Sequence, residues 1–374
     1  MKISNQKALF NIDEGVTYMN CANMSPNLKS VYEAGIAAMS KRDAPWLIRT
    51  QDWFEPAEEL KSLFAKIINA ESKSIALVPS ASYGIAVAKN NIHLDTSQEI
   101  VVLDQQYPSN VYAWRELSKE TGAKIITVKK QNGQSWTEAV LENINQRTGL
   151  VTIPNCHWTN GGLVDLELIG AKTKEIGAKF VIDASQSLGA LPIDINRIKP
   201  DFLVTVGYKW LLGPYGLAYL YADEKYHDAG EPIEYTWLNK NGSEDFTKLV
   251  DYTDAYKPGA SRFDAGGYPS FINIQMAKAA LTQILNWGVE NIQETISDLT
   301  MQISRLANER SFNIADENHA GHLIGLKFNE EKIKEISARF ARNNIYISFR
   351  GESMRIAPHL FNDSEDIHRL FEYL

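Results

Sequence analysis

A chain of 374 residues, 44% hydrophobic and 22% charged, is long enough for two or three domains and a large core that needs no disulfides. Its 38 basic and 46 acidic side chains leave a formal charge of −8, and its longest basic runs are pairs such as Lys41-Arg42 and Lys129-Lys130, which argues against a nucleic-acid partner. No apolar run approaches the ~20 residues that cross a bilayer, no apolar stretch follows Met1-Lys2-Ile3-Ser4-Asn5, and the two cysteines, Cys21 and Cys156, lack metal spacing, so a soluble cytoplasmic protein without a metal or a membrane partner is expected.

Short apolar runs alternate with amphipathic stretches through the middle of the chain. Strands are predicted at 75–78, 100–103, 123–128, 150–153, 179–182, 202–206 and 217–221. Helices are predicted at 83–89, 111–119, 137–145 and 166–176. Val/Ile/Leu runs separated by helices indicate an α/β fold with a mostly parallel sheet covered on both faces. The last two strands lack a helix between them, so an antiparallel member is expected there. Beyond about Gly267 the pattern changes to long helices at 271–287 and 292–308, a strand at 322–328, a helix at 331–342, strands at 345–349 and 353–356, and a helix at 363–373. The expected division is an N-terminal segment 1–20, a large domain 21–270, and a linking helix with a small α+β domain over 271–374.

Ligands of an open α/β sheet sit beyond the carboxyl ends of its strands, so the residues after each strand carry the functional reading. Ser80-Ala81-Ser82-Tyr83-Gly84 follows the strand 75–78. Small residues at a helix start leave N–H groups that cradle a phosphate, although Ser80 serves equally as a plain cap. Asp183 follows Phe180-Val181-Ile182. A carboxylate at a buried strand end is costly without a cation or good donors, yet it too would serve as a cap. Lys209 follows the strand 202–206, within Gly207-Tyr208-Lys209-Trp210-Leu211-Leu212-Gly213-Pro214. Desolvation lowers a lysine pKa, and the neutral amine forms a Schiff base. Arg355, in Met354-Arg355-Ile356-Ala357-Pro358, offers a planar fork to a carboxylate or forms a surface ion pair. Together these supply what pyridoxal phosphate (PLP) requires: a Schiff-base lysine, an acid for the pyridine nitrogen and a phosphate anchor.

The chain resembles the class V aminotransferases, the fold-type I PLP group that includes cysteine desulfurases and isopenicillin-N-epimerase-like proteins. The resemblance runs from Tyr18-Met19-Asn20 to Asn362 and is most specific in Val181-Ile182-Asp183-Ala184-Ser185-Gln186 and in the segment around Lys209. It implies a large PLP-binding domain with a mostly parallel sheet and a small α+β C-terminal domain. It also implies roles. Lys209 carries the cofactor and shuttles protons, Asp183 pairs with the pyridine nitrogen, and Gln186 donates to the phenolic oxygen. Ala81 and Ser82 bind the phosphate through N–H groups, and Arg355 holds the substrate carboxylate. Tyr107 falls where the family stacks a ring on the pyridine, and it is equally readable as a core tyrosine. Thr159, in His157-Trp158-Thr159-Asn160-Gly161-Gly162, lies near a family Asn that touches the ring oxygen, and is a departure. Arg262-Phe263-Asp264-Ala265-Gly266-Gly267 resembles a loop that reaches the neighbouring subunit's phosphate, which implies a homodimer with shared active sites.

Cysteine desulfurases carry a nucleophilic Cys shortly before the carboxylate-binding Arg. Here Phe349-Arg350-Gly351-Glu352-Ser353-Met354 has none, and Cys21 and Cys156 read as small buried residues, so persulfide-forming desulfuration is not expected. No GxGxxG or GxxxxGK[ST] segment occurs, and His319 and His322 lack an HExxH partner. The expected activity is transaminase-like chemistry at Cα of an amino-acid-like substrate, with a lyase or epimerase sharing the same steps. A PLP-binding protein without turnover is the alternative from another class, and Arg355 counts against it. A nucleotide-binding module with a fortuitous lysine would be colourless.

Overall fold

The computed structural model describes residues 1–374. Its elements in chain order are β1 (Thr17–Tyr18), α1 (Lys29–Lys41), α2 (Glu55–Ile67), β2 (Ile75–Val78), α3 (Ala81–Asn90), β3 (Glu99–Leu103), α4 (Ser109–Thr121), β4 (Lys124–Val128), α5 (Trp136–Asn143), β5 (Thr148–Ile153), α6 (Leu166–Ile176), β6 (Lys179–Asp183), α7 (Ile195–Ile198), β7 (Phe202–Val206) and β8 (Ala218–Ala222). There follow α8 (Phe271–Trp287), α9 (Val289–Glu309), β9 (Ile324–Lys327), α10 (Glu330–Arg342), β10 (Ile345–Tyr346), β11 (Ser348–Arg350), β12 (Ser353–Ile356) and α11 (Ser364–Glu372).

Strands β2 to β8 form one sheet in the order β2-β8-β7-β6-β5-β3-β4. The five strands from β7 to β4 are parallel, and β8 is antiparallel to both β7 and β2. A short return without a helix permits only the antiparallel pairing. Strands β5, β7 and β8 are buried throughout, as their continuous apolar runs require when helices cover both faces. Capping side chains start the helices that follow the strands. Ser80 accepts the Tyr83 N–H, Ser135 and Glu138 cap α5 reciprocally, and Asp165 accepts the N–H groups of Glu167 and Leu168. Such caps contribute about 1 kcal/mol each. The strand order reverses between β3 and β5, and a crevice opens there at the carboxyl ends.

The second sheet, β11-β12-β9, is antiparallel and shares a core with α9, α10 and α11 that includes Ile324, Phe340, Met354, Ile356 and Phe371. The predicted strand 345–349 is two strands. Thr17↔Ile345 and Tyr18↔Tyr346 pair in parallel, after which the chain leaves this partner at Ile347 and pairs with β12. The N-terminal residues then continue toward the crevice: Ala357 N–H donates to Met19 at 2.9 Å, and Cys21 N–H donates to Ala357 at 3.2 Å. Helices α1 and α2 both pack against α8. No helix is long and apolar enough to cross a membrane.

Candidate active site

Loops after β3, β5, β6 and β7 meet at the crevice and enclose a small cavity. Tyr107 comes from the first loop and Asn110 from the start of α4 after it, Cys156 and Trp158 from the second loop, Asp183 from the end of β6 and Gln186 from the loop after it, and Lys209 from the fourth. Two glycines let the loops close up. A Cβ at Gly189 (φ +100°) would meet the Trp210 carbonyl oxygen at 2.3 Å, so the chain after Asp183 rests on the backbone beside Lys209. A Cβ at Gly161 (φ +85°) would meet the Leu323 carbonyl oxygen at 2.0 Å, which ties the loop after β5 to the second sheet.

Lys209 is buried, and its amine makes neither a hydrogen bond nor an ion pair within the protein. Its Nζ lies 5.4 Å from the centre of the Tyr107 ring and 5.8 Å from that of Tyr208. Burial pulls its pKa down to about 8; nearby Arg355 and Arg350 act in the same direction and Asp183 opposes them. Asp183 is buried at the end of β6 and accepts the Ser185 N–H at 3.1 Å through one oxygen, leaving the other without a protein donor.

Gln186 lines the cavity, but both ends of its amide are engaged: Nε2 donates to Ala22 at 2.9 Å, and Oε1 accepts from Trp210 Nε1 at 3.2 Å. Its carbonyl oxygen meets His322 Nε2 at 2.6 Å. Burial lowers the His322 pKa to about 4, so a neutral ring donates this bond and braces the loop from behind.

Arg355 is buried on β12. Its Nε donates to Ser348 Oγ at 3.0 Å and Nη1 to the Trp158 carbonyl at 2.9 Å, while Nη2 has no partner. Burial, reinforced by Arg350, brings its pKa down to about 9. Asn110 Nδ2 and Ser185 Oγ are likewise buried and unpaired at the cavity. An unpaired buried polar group costs about 1–3 kcal/mol; two of these three, Asn110 Nδ2 and Ser185 Oγ, line the cavity, and a polar ligand there would offset that cost.

The remaining expected positions fall in different places. Helix α3 packs on β7, the strand leading to Lys209, and the N–H groups of Ala81 and Ser82 at its start have no protein acceptor. Tyr107 stands edge-on to Trp158 at 5.3 Å and faces Lys209. Thr159 does not line the cavity. Its hydroxyl bonds His157 Nδ1 at 2.8 Å and looks into the wide cleft beside it, and it is Trp158 that reaches the cavity. Gly267 occupies an exposed turn before α8 with φ +74° and open space around it, outside the cavity. Cys156, expected as an ordinary core residue, lies in the cavity wall. Burial pushes its thiol up to about 12, so it stays protonated. Trp158, Asn110 and Ser185, which line the cavity, and Arg350, which lines the cleft, are not singled out by the sequence.

The sequence profile of the family described as Aminotransferase class-V matches residues 46–367. The chain belongs to that family. It is 26% identical to the uncharacterized aminotransferase YcbU of Bacillus subtilis, over 87% of this chain and 86% of that one. It is 29% identical to a probable cysteine desulfurase of Pyrococcus abyssi, over 63% and 58%, and 21% identical to a kynureninase of Geobacillus thermodenitrificans, over 88% and 79%. The fold matches that of the apo cysteine desulfurase from Thermococcus onnurineus with a TM-score of 0.87 at 20% identity, covering 100% of this chain and 98% of that one. It matches a lysine-to-alanine variant of C-DES, with glycine covalently linked to its PLP cofactor, with a TM-score of 0.88 at 18% identity over 99% of each chain. The expectation against desulfuration finds no support among these relatives. PLP is the cofactor of class V aminotransferases, and the donors present fit it: an unpartnered buried amine, a half-free carboxylate and bare N–H groups at a helix start.

Proposed function

We propose that the chain is a PLP-dependent enzyme of transaminase type, acting at Cα of an amino acid. Lys209 would hold the cofactor through its aldehyde carbon, and Asp183 would face its ring nitrogen. The observation that carries this reading is the Lys209 amine, buried, unpartnered and shifted to about 8, in the same cavity as Asp183. When bound, PLP supplies an electron sink for charge developing at Cα. The Asp183 oxygen without a protein donor keeps the ring nitrogen protonated. Ala81 and Ser82 N–H groups at the start of α3 hold the phosphate. Tyr107 would lie against the ring, and with Trp158 it would exclude water from Lys209. Arg355 donates Nη2 to the substrate carboxylate, which fixes the Cα–H bond relative to Lys209. With PLP bound, the Lys209 amine, whose lowered pKa eases loss of its proton, would be the group placed to take the Cα proton and deliver it as general acid. Gln186 would have to release Ala22 to serve the phenolic oxygen, and Thr159 would act only through His157.

The lowered Lys209 pKa has a measurable consequence. Capture of PLP by the apo-protein requires the neutral amine. Its rate is expected to rise with pH to about 8 and then level off. A solvated lysine would give a rise continuing toward about 10.4. Stopped-flow absorbance across pH 6–10 reads the difference.

The relatives named as a probable cysteine desulfurase and a kynureninase keep chemistry other than transamination, including a lyase or epimerase, as the second reading. Persulfide-forming desulfuration lacks a nucleophile: the β11–β12 turn carries Gly351 and Glu352, and Cys156 is a buried protonated thiol. Incubation with cysteine is expected to leave no protein-bound persulfide; a persulfide on Cys156 by peptide mass would overturn this.

We also propose a homodimer. Helix α1 exposes Tyr32, Ile36 and Met39, and the segment after it exposes Trp46 and Leu47, large apolar side chains that a second copy would cover. The open turn at Gly267 is free to reach a second copy. Light scattering is expected to give twice the chain's mass at micromolar concentration; a monomer carrying full activity would refute shared sites.

A further inference from the structure

The small hairpin β11–β12 presents two arginines to the site. In its register Ser348 lies opposite Arg355, and Arg350 lies opposite Ser353. Side chains two residues apart in a strand share a face. Ser348, Arg350, Ser353 and Arg355 therefore lie on one face, while Phe349 and Met354 turn into the core behind. Arg350 and Arg355 are diagonal neighbours on that face, a relation that places Cβ atoms within about 7–8 Å. Trp158 joins them: its carbonyl takes Arg355 Nη1 at 2.9 Å, and its ring lies 5.6 Å from the Arg350 guanidinium.

Neither guanidinium has a counter-charge. The chain's arginine ion pairs use Arg147, Arg197, Arg305 and Arg339. Arg350 donates only to its neighbour's carbonyl, Phe349 at 2.7 Å, and to Asn23 Oδ1 at 3.2 Å. Arg355 Nη2 and Ser353 Oγ, both buried, have no partner. Arg350 is half-buried at the mouth of a polar cleft of about 870 Å³ that also contains Ser353, His157 and Thr159. A buried cation with a half-buried one of like sign on the same face is costly until an anion joins them. One carboxylate on Arg355 leaves Arg350 unneutralised.

Resting on the assignment of Arg355 to the substrate α-carboxylate, we propose that Arg350 binds a second carboxylate, on the substrate's side chain. The substrate is then an amino dicarboxylic acid, exchanged with its 2-oxo counterpart. The α-carboxylate occupies Arg355 Nη2 next to Lys209, and the distal carboxylate lies toward the cleft on Arg350, against the Trp158 ring.

The test uses the holo-protein and simple acids that cannot react: dicarboxylates from malonate to adipate, each beside the monocarboxylate of equal length. Binding is read by calorimetry and by tryptophan fluorescence. In the wild type the best dicarboxylate is expected to bind at least about tenfold more tightly than its monocarboxylate, as a charge-assisted pair allows. In Arg350→Gln that ratio is expected to fall to about 1, through loss on the dicarboxylate side; Arg350→Lys, which keeps the charge, retains part of it. A wild-type ratio near 1 overturns the proposal, as does an Arg350→Gln variant that weakens both acids equally. The cofactor's visible band, recorded on the same samples, reports the parent reading separately. A normal band with no dicarboxylate preference sinks the proposal alone, and a missing band with the preference intact sinks only the cofactor assignment.

Discussion

Lys209→Ala is expected to abolish turnover and the protein-bound visible absorbance of the cofactor, while leaving the fold intact. Loss of a positioned general base alone removes about 10²–10⁴-fold in rate, and loss of covalent attachment adds to it. The stability result separates this from unfolding. The folded pKa is about 8 against 10.5 for the free side chain, so between these pH values the unfolded chain holds more protons than the folded one, and stability rises with pH. Below pH 8 the native apo-protein carries the whole penalty of a buried ammonium, about 3 kcal/mol at 1.36 kcal/mol per pH unit. Removing the amine relieves it. Lys209→Ala apo-protein at pH 7 is therefore expected to melt no lower than wild type, despite the small cavity it leaves. A variant that keeps the visible band would show that the cofactor is attached elsewhere.

Asp183→Asn is expected to fill the same space without the charge. Removing one partner of a buried ion pair costs about 3–5 kcal/mol, which corresponds to a loss of roughly 100-fold or more in PLP affinity. The rate of Cα hydrogen exchange into deuterated solvent is expected to fall as well, because an unprotonated ring withdraws electrons poorly. Asp183→Ala adds an unfilled volume and is expected to lose more. Equilibrium dialysis and exchange measured by mass report the two effects separately. Wild-type affinity together with wild-type exchange in Asp183→Asn would remove this residue from the ring nitrogen.

Much of the architecture is legible in the chain because the central strands are buried on both faces and announce themselves as unbroken Val/Ile/Leu runs. Helices α1 and α2 were not legible for two reasons. Their starts, after Leu28 and Phe54, carry no capping side chain, and α1 exposes Tyr32, Ile36 and Met39 while burying Val31, Gly35 and Ala38, so its apolar stripe is blurred. Within the site, the residues gathered around the cavity from the sequence reading are those at strand ends, Tyr107, Asp183, Gln186 and Lys209. Thr159 shows the limit. It sits in a tight turn closed by His157 N–H to Gly162 at 2.7 Å and Gly161 N–H to His157 at 2.8 Å, where neighbouring side chains point apart, so a shift of one residue exchanges cavity for cleft. Arg350 was not legible as a site residue because its meaning comes from register: only the pairing of β11 with β12 puts it beside Arg355.

The pairing of Thr17 with Ile345 brings the two ends of the polypeptide together, and Ala22 beyond it holds the Gln186 side chain. A contact spanning nearly the whole chain pays its loop-closure entropy last. During synthesis the central sheet has all its strands before residue 345 exists, but the segment 17–22 that holds the Gln186 side chain still lacks its β10 partner. The clasp between Thr17 and Ile345 is therefore expected to form after the central sheet, and hydrogen exchange during refolding should protect the sheet before residues 17–22.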